Sequence, residues 1–294
     1  MHKTGHLLIT DNSKQQVSVA PRVHRYTAEG KRPRAAMLVL PALGVTASYY
    51  APLAEALAGL GLEIGVLELR GQGDSPLRAS WRVDFGFREL LEEDVPAAVR
   101  QLREAAPDVP LLLLGHSLGG HLAAMTAGRE SAGEIDGVML VACSSPWLPG
   151  YDRRTRRQLR LLRALVYLSI STLGYYPGHR LGFGGREART LMRDWLVLMR
   201  NNRYRAAGLA EDLDAAVGRY TGPVLAVRMA EDSYAPEAAM EAVLGKFQSA
   251  LLTREVIDSA TLGTRADHFR WIRQPGALVQ RITLWLDESR LHQH

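Results

Sequence analysis

Val109-Pro110-Leu111-Leu112-Leu113-Leu114-Gly115-His116-Ser117-Leu118-Gly119-Gly120 passes from an unbroken apolar run into a helical pattern within twelve residues. A short continuous apolar run suits a central strand of a parallel sheet, covered on both faces. Leu118 to Arg129 then sets small and apolar residues at helical spacing, so strand, turn and helix follow in order. Within the turn, Gly115-His116-Ser117-Leu118-Gly119 fits G-x-S-x-G, the pattern of a serine held at the tip of a sharp strand-to-helix turn. Such a serine sits in strained backbone, and side chains two positions to either side would collide with the neighbouring turn. Ser117 is therefore the candidate nucleophile. In a chain with 27 glycines the pentapeptide alone is only moderately specific, and the flanking strand and helix carry the argument.

Outward from this turn, apolar strand patterns alternate with helical ones from about residue 35 to 145 and again from about 220 to the end. Ala36–Leu40, Ile64–Leu69, Gly137–Ala142, Pro223–Arg228 and Leu251–Ile257 read as strands. Helices are expected through Tyr49 to Leu60, over Phe87 to Ala105, and from about Pro275 to Leu291. In the second of these, Glu89, Glu92, Glu93 and Asp94 precede Arg100 and Arg103, a polarity that complements the helix dipole; Pro96 marks a kink or the true first turn. Alternation of this kind implies βαβ units, so the fold class is α/β, with a mostly parallel central sheet and helices on both faces. Residues 7 to 26, more polar and alternating, are expected to supply an antiparallel edge hairpin.

Between about 146 and 210 the alternation stops. Arg153, Arg156, Arg160 and Arg163 recur at helical steps, with Leu159, Leu162 and Val166 on another face, which describes an amphipathic helix. A second helix is expected over Glu187 to Arg200, beyond the glycine-rich Leu181-Gly182-Phe183-Gly184-Gly185. The division that follows is a core of residues 1–145 and 211–294 with a helical insertion, 146–210, placed as a lid. The arginines read first as a solvated face, with docking of an anionic substrate or membrane surface as the second reading.

Composition bounds the rest. At 294 residues, with 47% hydrophobic and 23% charged, the chain can bury a substantial core and has the balance of a soluble globular protein. Met1 to Asp11 has no apolar stretch of signal-peptide length, and no segment offers the roughly 20 apolar residues of a membrane span, so a cytoplasmic location is the default. Cys143 is the one cysteine, which rules out an internal disulfide; at the end of an apolar strand it reads as a buried, inert thiol. The net charge of +5 comes with no recognised nucleic-acid motif. No H-E-x-x-H or similar ligand spacing implies a metal. The glycine motif lacks both the Walker lysine and the dinucleotide fingerprint, so no cofactor is expected.

A serine hydroxyl is a poor nucleophile until a base takes its proton, and the base must be oriented by a carboxylate. Asp232 stands in Arg228-Met229-Ala230-Glu231-Asp232-Ser233-Tyr234-Ala235-Pro236, just past a strand, and His268 in Arg265-Ala266-Asp267-His268-Phe269-Arg270-Trp271, after the last strand. Both fall at strand C-terminal ends, where open parallel sheets collect ligands. Over about residues 20 to 290 the chain resembles the α/β-hydrolase family, and in particular lipase-like and serine-aminopeptidase-like hydrolases with a helical lid. The order nucleophile, acid, histidine is the one that fold requires. The resemblance implies that Ser117 is the nucleophile, His268 the general base and then acid, and Asp232 the carboxylate that holds the imidazole. It also implies an oxyanion hole built from the backbone N–H groups of Leu118 and Leu43. Many members have His-Gly where this chain has Pro41-Ala42-Leu43-Gly44; because backbone amides do the work, the substitution alters the loop without removing the donors. Arg70-Gly71-Gln72-Gly73-Asp74-Ser75 matches a family loop motif, in which Asp74 reads as structural.

Glu231 and Asp258 are the competing acids. Asp267 reads as a turn carboxylate, His116 as a side chain diverging from the serine hydroxyl, and His24, His121 and His179 as structural. The reaction expected is cleavage of a carboxylic ester, or of a thioester or amide, through an acyl-enzyme. Alternatives are acyl transfer from the same intermediate and a catalytically silent binding protein. Serine rather than aspartate at the turn argues against dehalogenase or epoxide hydrolase chemistry. The partner expected is a small-molecule acyl substrate, with no nucleic acid. Trp147, Tyr151, Tyr167, Tyr175, Tyr176, Phe183 and Trp195 could form an apolar site or simply the insertion's own core. Aminopeptidase activity is the lesser reading, since no carboxylate pair is evident for a substrate amine.

Overall fold

The computed structural model describes residues 20–27, 32–129 and 135–289. Among these residues nine strands are β1 (Arg22–Tyr26), β2 (Ala35–Leu40), β3 (Leu62–Glu68), β4 (Leu111–His116), β5 (Gly137–Val141), β6 (Tyr175–Pro177), β7 (Arg186–Ala188), β8 (Pro223–Met229) and β9 (Leu251–Ile257). Seven form one sheet in the order β1-β3-β2-β4-β5-β8-β9. Within it β1 alone runs antiparallel, pairing Arg22 with Glu68 and Tyr26 with Ile64; the other pairs are parallel. The antiparallel edge expected at the N-terminus is thus this one strand, and residues 7–19 of the expected hairpin lie outside the described residues.

Burial explains the continuous apolar runs. Every residue of β2 and β4 is buried, and alternate side chains enter two separate cores. Leu38, Leu40, Leu111, Leu113, Val138 and Leu140 face one, while Met37, Val39, Leu112, Leu114, Met139 and Val141 face the other. A strand with water on neither face favours apolar residues along its length, and the polar exception in β4, His116, has both ring nitrogens hydrogen-bonded.

Helices cover both faces: α1 (Ala51–Ala58), α2 (Phe87–Glu89), α3 (Val95–Ala105), α4 (Leu118–Ala127), α5 (Arg153–Thr172), α6 (Gly178–Leu181), α7 (Arg189–Asn201), α8 (Leu213–Arg219), α9 (Glu237–Leu244), α10 (Ser259–Leu262) and α11 (Gly276–Glu288). Leu53 and Leu57 of α1 pack with Ile282 and Trp285 of α11 on one face. Residues of α3, α4, α8 and α9 fill the other.

The helix expected over Phe87–Ala105 is divided. Leu90–Asp94 is a π turn, and Val95 N–H bonds the carbonyl of Leu90. Pro96 is the reason: its ring would press on the carbonyl four residues back and it has no N–H to donate, so the preceding turn widens. In the first expected helix, Ala47–Tyr50 is a 3-10 turn and α1 begins at Ala51, with Pro52 in its first turn.

Residues between β5 and β8 carry α5, the antiparallel pair β6–β7 with α6 between its strands, and α7. Asp152 caps α5, accepting from the N–H groups of Arg154 at 2.7 Å and Thr155 at 3.0 Å. The second insertion helix begins at Arg189 rather than Glu187, because Glu187 belongs to β7 and pairs with Tyr176. No helix among the described residues is long and apolar enough to cross a membrane.

Candidate active site

Ser117 follows β4 and precedes α4 with φ +53° and ψ −114°, a conformation that L side chains rarely adopt. Its neighbours show why glycine is required. A Cβ on Gly115 would lie 2.2 Å from the carbonyl oxygen of Gly119, and one on Gly119 would lie 1.9 Å from that of Leu40. The Ser117 N–H anchors the turn to Val141 at 3.1 Å.

The loops after β8 and β9 bring two further groups to this turn. His268 Nε2 is 3.0 Å from Ser117 Oγ, and His268 Nδ1 is 2.7 Å from Asp232 Oδ2. The other oxygen of Asp232 accepts from the N–H groups of Tyr234 at 2.8 Å and Ala235 at 3.1 Å. Asp232 and His268 are buried. The three side chains singled out from sequence thus form one hydrogen-bonded chain, serine to imidazole to carboxylate. This is the arrangement that raises a hydroxyl's nucleophilicity.

The Pro41–Val45 loop closes through Val45 N–H to Ala42 O at 3.1 Å, with Gly44 at φ +74°. The Ala42 N–H is taken by the Tyr50 hydroxyl, 2.9 Å away. The N–H groups of Leu43 and Leu118 have no acceptor among the described residues, and both residues line the same cavity as Ser117. Two unpaired donors beside a nucleophile are what a developing oxyanion needs.

The cavity measures about 410 Å³. Leu159 and Leu162 of α5, Phe183, Trp195 of α7 and Tyr234 form much of its wall, with Thr155 and Gln158 as polar positions. Among the described residues, no Asp, Glu, Lys or Arg side chain lines it. Of the insertion's aromatics, Tyr151, Phe183 and Trp195 reach the cavity, whereas Tyr176 is fully buried in the core and Tyr167 is half exposed. On the opposite side of α5, Arg153, Arg154, Arg157 and Arg160 are exposed and make no ion pair among the described residues.

The other sequence candidates separate cleanly. Glu231 is exposed and accepts from Ser259 Oγ, Asp258 caps α10, and Asp267 accepts from the N–H groups of Phe269 and Arg270. None of these carboxylates bonds His268. Asp74 is not the structural residue expected: it is exposed, 3.9 Å from Arg22. In that loop Arg70 instead grips Asp94 and Glu93, and Ser75 Oγ accepts from the N–H of Gly71. His121 donates from Nε2 to Ser144 O, so its Nδ1 accepts from the Tyr204 hydroxyl at 2.7 Å. Burial lowers its pKa to about 4, which keeps it neutral. His179 is exposed, and His24 Nε2 lacks a hydrogen-bond partner. Cys143 is buried against Gly120, and burial pushes its thiol pKa up.

Sequence reasoning passed over Tyr50, and read Tyr151 only as one of the insertion's aromatics and Glu187 only as a helix boundary. Tyr151 Oη donates to Tyr234 O at 2.9 Å and so steadies the loop of Asp232. No local pattern marks these residues, because each acts on a segment distant in sequence.

A seven-stranded, mostly parallel sheet with a serine turn after its central strand defines the α/β-hydrolase fold. Residues 31–261 match the family model described as serine aminopeptidase, S33. The chain belongs to that family. Over 118 residues it is 31% identical to human monoglyceride lipase and 30% to the mouse protein, 40% of this chain against 38% of each relative. The match thus spans little more than a third of those relatives. Among solved structures it is similar to Est1E from Butyrivibrio proteoclasticus with ferulic acid bound (TM-score 0.58, 14% identity, 90% of this chain and 94% of that one). It is also similar to a bromoperoxidase from Bacillus anthracis (TM-score 0.59, 14% identity, 91% and 96%). Likeness across such different names is likeness of fold.

Proposed function

We propose that the protein hydrolyses a neutral carboxylic ester through an acyl-enzyme on Ser117. The observation that carries this reading is the unbroken chain Ser117–His268–Asp232 opening into an uncharged cavity. His268 takes the proton of Ser117 as Oγ bonds to the substrate carbonyl carbon. The carbonyl oxygen, now an oxyanion, is met by the N–H groups of Leu43 and Leu118. His268 then gives the proton to the leaving alkoxide as the C–O bond breaks. Water repeats the cycle on the acyl-enzyme and releases the acid. Asp232 keeps the proton of His268 on Nδ1 and stabilises the imidazolium that forms.

Cavity size and lining support a substrate of small to medium size. About 410 Å³ lies within the usual range of ligand sites. A substrate ammonium would find no carboxylate in the lining, which disfavours aminopeptidase activity; Thr155 and Gln158 offer hydrogen bonds to a neutral polar group. The insertion, 146–210, acts in this reading as the lid, with α5, the stretch Leu181–Gly184 and α7 as the outer wall. The curated relatives' name, monoglyceride lipase, fits an ester.

The test is labelling by a fluorophosphonate probe of wild type, Ser117→Ala and His268→Ala, followed by a p-nitrophenyl ester series of increasing chain length. Labelling of wild type alone, with turnover peaking at a medium acyl chain, is expected. Folded wild type that does not label would sink the hydrolase reading and favour a binding protein; labelling without turnover until an alcohol is added would favour acyl transfer.

A further inference from the structure

Glu187 is buried in β7 and takes no part in the proton transfers above. Its Oε1 accepts from the N–H of Gly185 at 2.6 Å, and its Oε2 accepts from Gln72 Nε2 at 3.1 Å. Gln72 lies in the loop after β3, so one carboxylate joins the insertion to the core. A carboxylate away from water is costly unless donors surround it. Burial pushes the Glu187 pKa up to about 7, and these two hydrogen bonds oppose the rise. Tyr176 on β6 is its titratable neighbour, while Arg186 turns away to the carbonyl of Ala79 and the ring of Tyr175.

What this carboxylate holds in place is backbone. A Cβ on Gly44 would lie 2.1 Å from Gly185 N and 2.4 Å from the carbonyl carbon of Gly184. One on Gly184 would lie 3.1 Å from Leu43 Cδ2, and one on Gly185 would lie 2.9 Å from Gly44 Cα. The strap Gly184–Gly185 therefore rests on the turn that carries the Leu43 N–H, with no Cβ between the two chains at the closest point. Any shift of the strap is passed to that turn.

We propose that Glu187 is a positioning residue for the oxyanion hole: it holds Gly184 and Gly185 against Leu43 and Gly44 and so fixes where the Leu43 N–H points. The inference rests on the hydrolase reading. It makes the insertion part of the catalytic apparatus and more than a cover, because one of the two oxyanion donors is aimed by it.

The experiment compares wild type, Glu187→Ala, Gln72→Ala and Glu187→Gln on p-nitrophenyl butyrate, with rates expressed per site titrated by a fluorophosphonate. Loss of an oxyanion donor costs about 10²–10³ in rate, so a misdirected one should cost about tenfold or more in kcat. KM should stay within about threefold, since the donor acts in the transition state. Gln72→Ala, which removes one tether, should lower kcat less. Glu187→Gln should recover most of the loss, as its amide can still accept from Gly185 while the Gln72 amide turns over. Wild-type kcat per site in Glu187→Ala, or a change confined to KM, would overturn the proposal. If Glu187→Ala does not fold, Gln72→Ala decides: lowered kcat at constant KM supports the proposal and wild-type kcat overturns it. Wild type that fails to label would instead remove the hydrolase reading itself.

Discussion

His116 Nε2 donates to the backbone carbonyl oxygen of His268 at 2.9 Å, so the residue before Ser117 holds the loop that carries His268. A carbonyl oxygen can only accept, which places the proton on Nε2 and leaves Nδ1 to accept from the Tyr50 hydroxyl at 2.8 Å. Tyr50 in turn accepts from the Ala42 N–H. Burial, followed by the influence of His268, lowers the His116 pKa and keeps the ring neutral. Trp271 Nε1 completes the cap on His268 O at 3.0 Å. A single buried line thus runs from the Pro41–Val45 loop through Tyr50 and His116 to His268.

Replacing Tyr50 by Phe breaks that line at its middle. It leaves the Ala42 N–H and His116 Nδ1 buried without partners, which should cost about 1–3 kcal/mol of stability by urea denaturation. The turnover number should fall as well, because both ends of the line carry groups of the site. A variant destabilised to this extent but with wild-type kcat per titrated site would show that the line supports the fold only.

Asp232→Asn tests the carboxylate directly. The amide oxygen can keep the bonds from Tyr234 and Ala235, but its NH₂ then faces His268 Nδ1 and favours the wrong tautomer. On the proposed mechanism a drop in kcat of about 10⁴ is expected, with the fold retained, as where the triad aspartate of a serine protease is replaced. A drop below about tenfold would mean that the imidazole is oriented by some other group.

Stability should fall as the pH is raised through the mildly acidic range. The folded-state pKa of Glu187 is raised from 4.5 to about 7 by burial, and that of Asp194 from 3.8 to about 6 by burial. Between the unfolded and folded values the native state binds more protons than the unfolded one, so stability declines from about pH 4 to pH 7 on account of these groups and levels off above. Glu187→Gln should flatten the upper part of this slope. Urea midpoints recorded across the window check it; a Glu187→Gln slope identical to wild type would show that this carboxylate does not carry it.

Two glycines should respond to alanine to very different extents. At Gly119 the new Cβ would lie 1.9 Å from Leu40 O and 2.8 Å from Pro41 O, both backbone atoms, so the variant should not fold. At Gly182, φ is +78° but nothing lies within 4 Å, and the cost should be about 1–2 kcal/mol of backbone strain. Soluble expression followed by thermal denaturation distinguishes the two, and a well-folded Gly119→Ala would contradict the packing at the turn.

Much of this protein is written in local pattern. Unbroken apolar runs mark strands with no wet face, and Gly115 and Gly119 mark the turn that lifts Ser117, because strand burial and backbone strain act over a few residues. Ser117 and Asp232 stand just beyond β4 and β8 and His268 after the last strand, the order that the family resemblance requires. Pro96 announced a break, but not the π turn that resolves it, which depends on how α3 seats in the core. What the tertiary structure alone decided are the contacts between segments far apart in the chain. Tyr50 meets His116 and Glu187 meets Gln72 only when the sheet has brought their loops together. In the same way the folded loops direct Asp232, named from the sequence with Glu231 and Asp258 as competitors, at His268. Periodicity records which face of an element is buried; it holds no record of which distant side chain a buried polar atom will find.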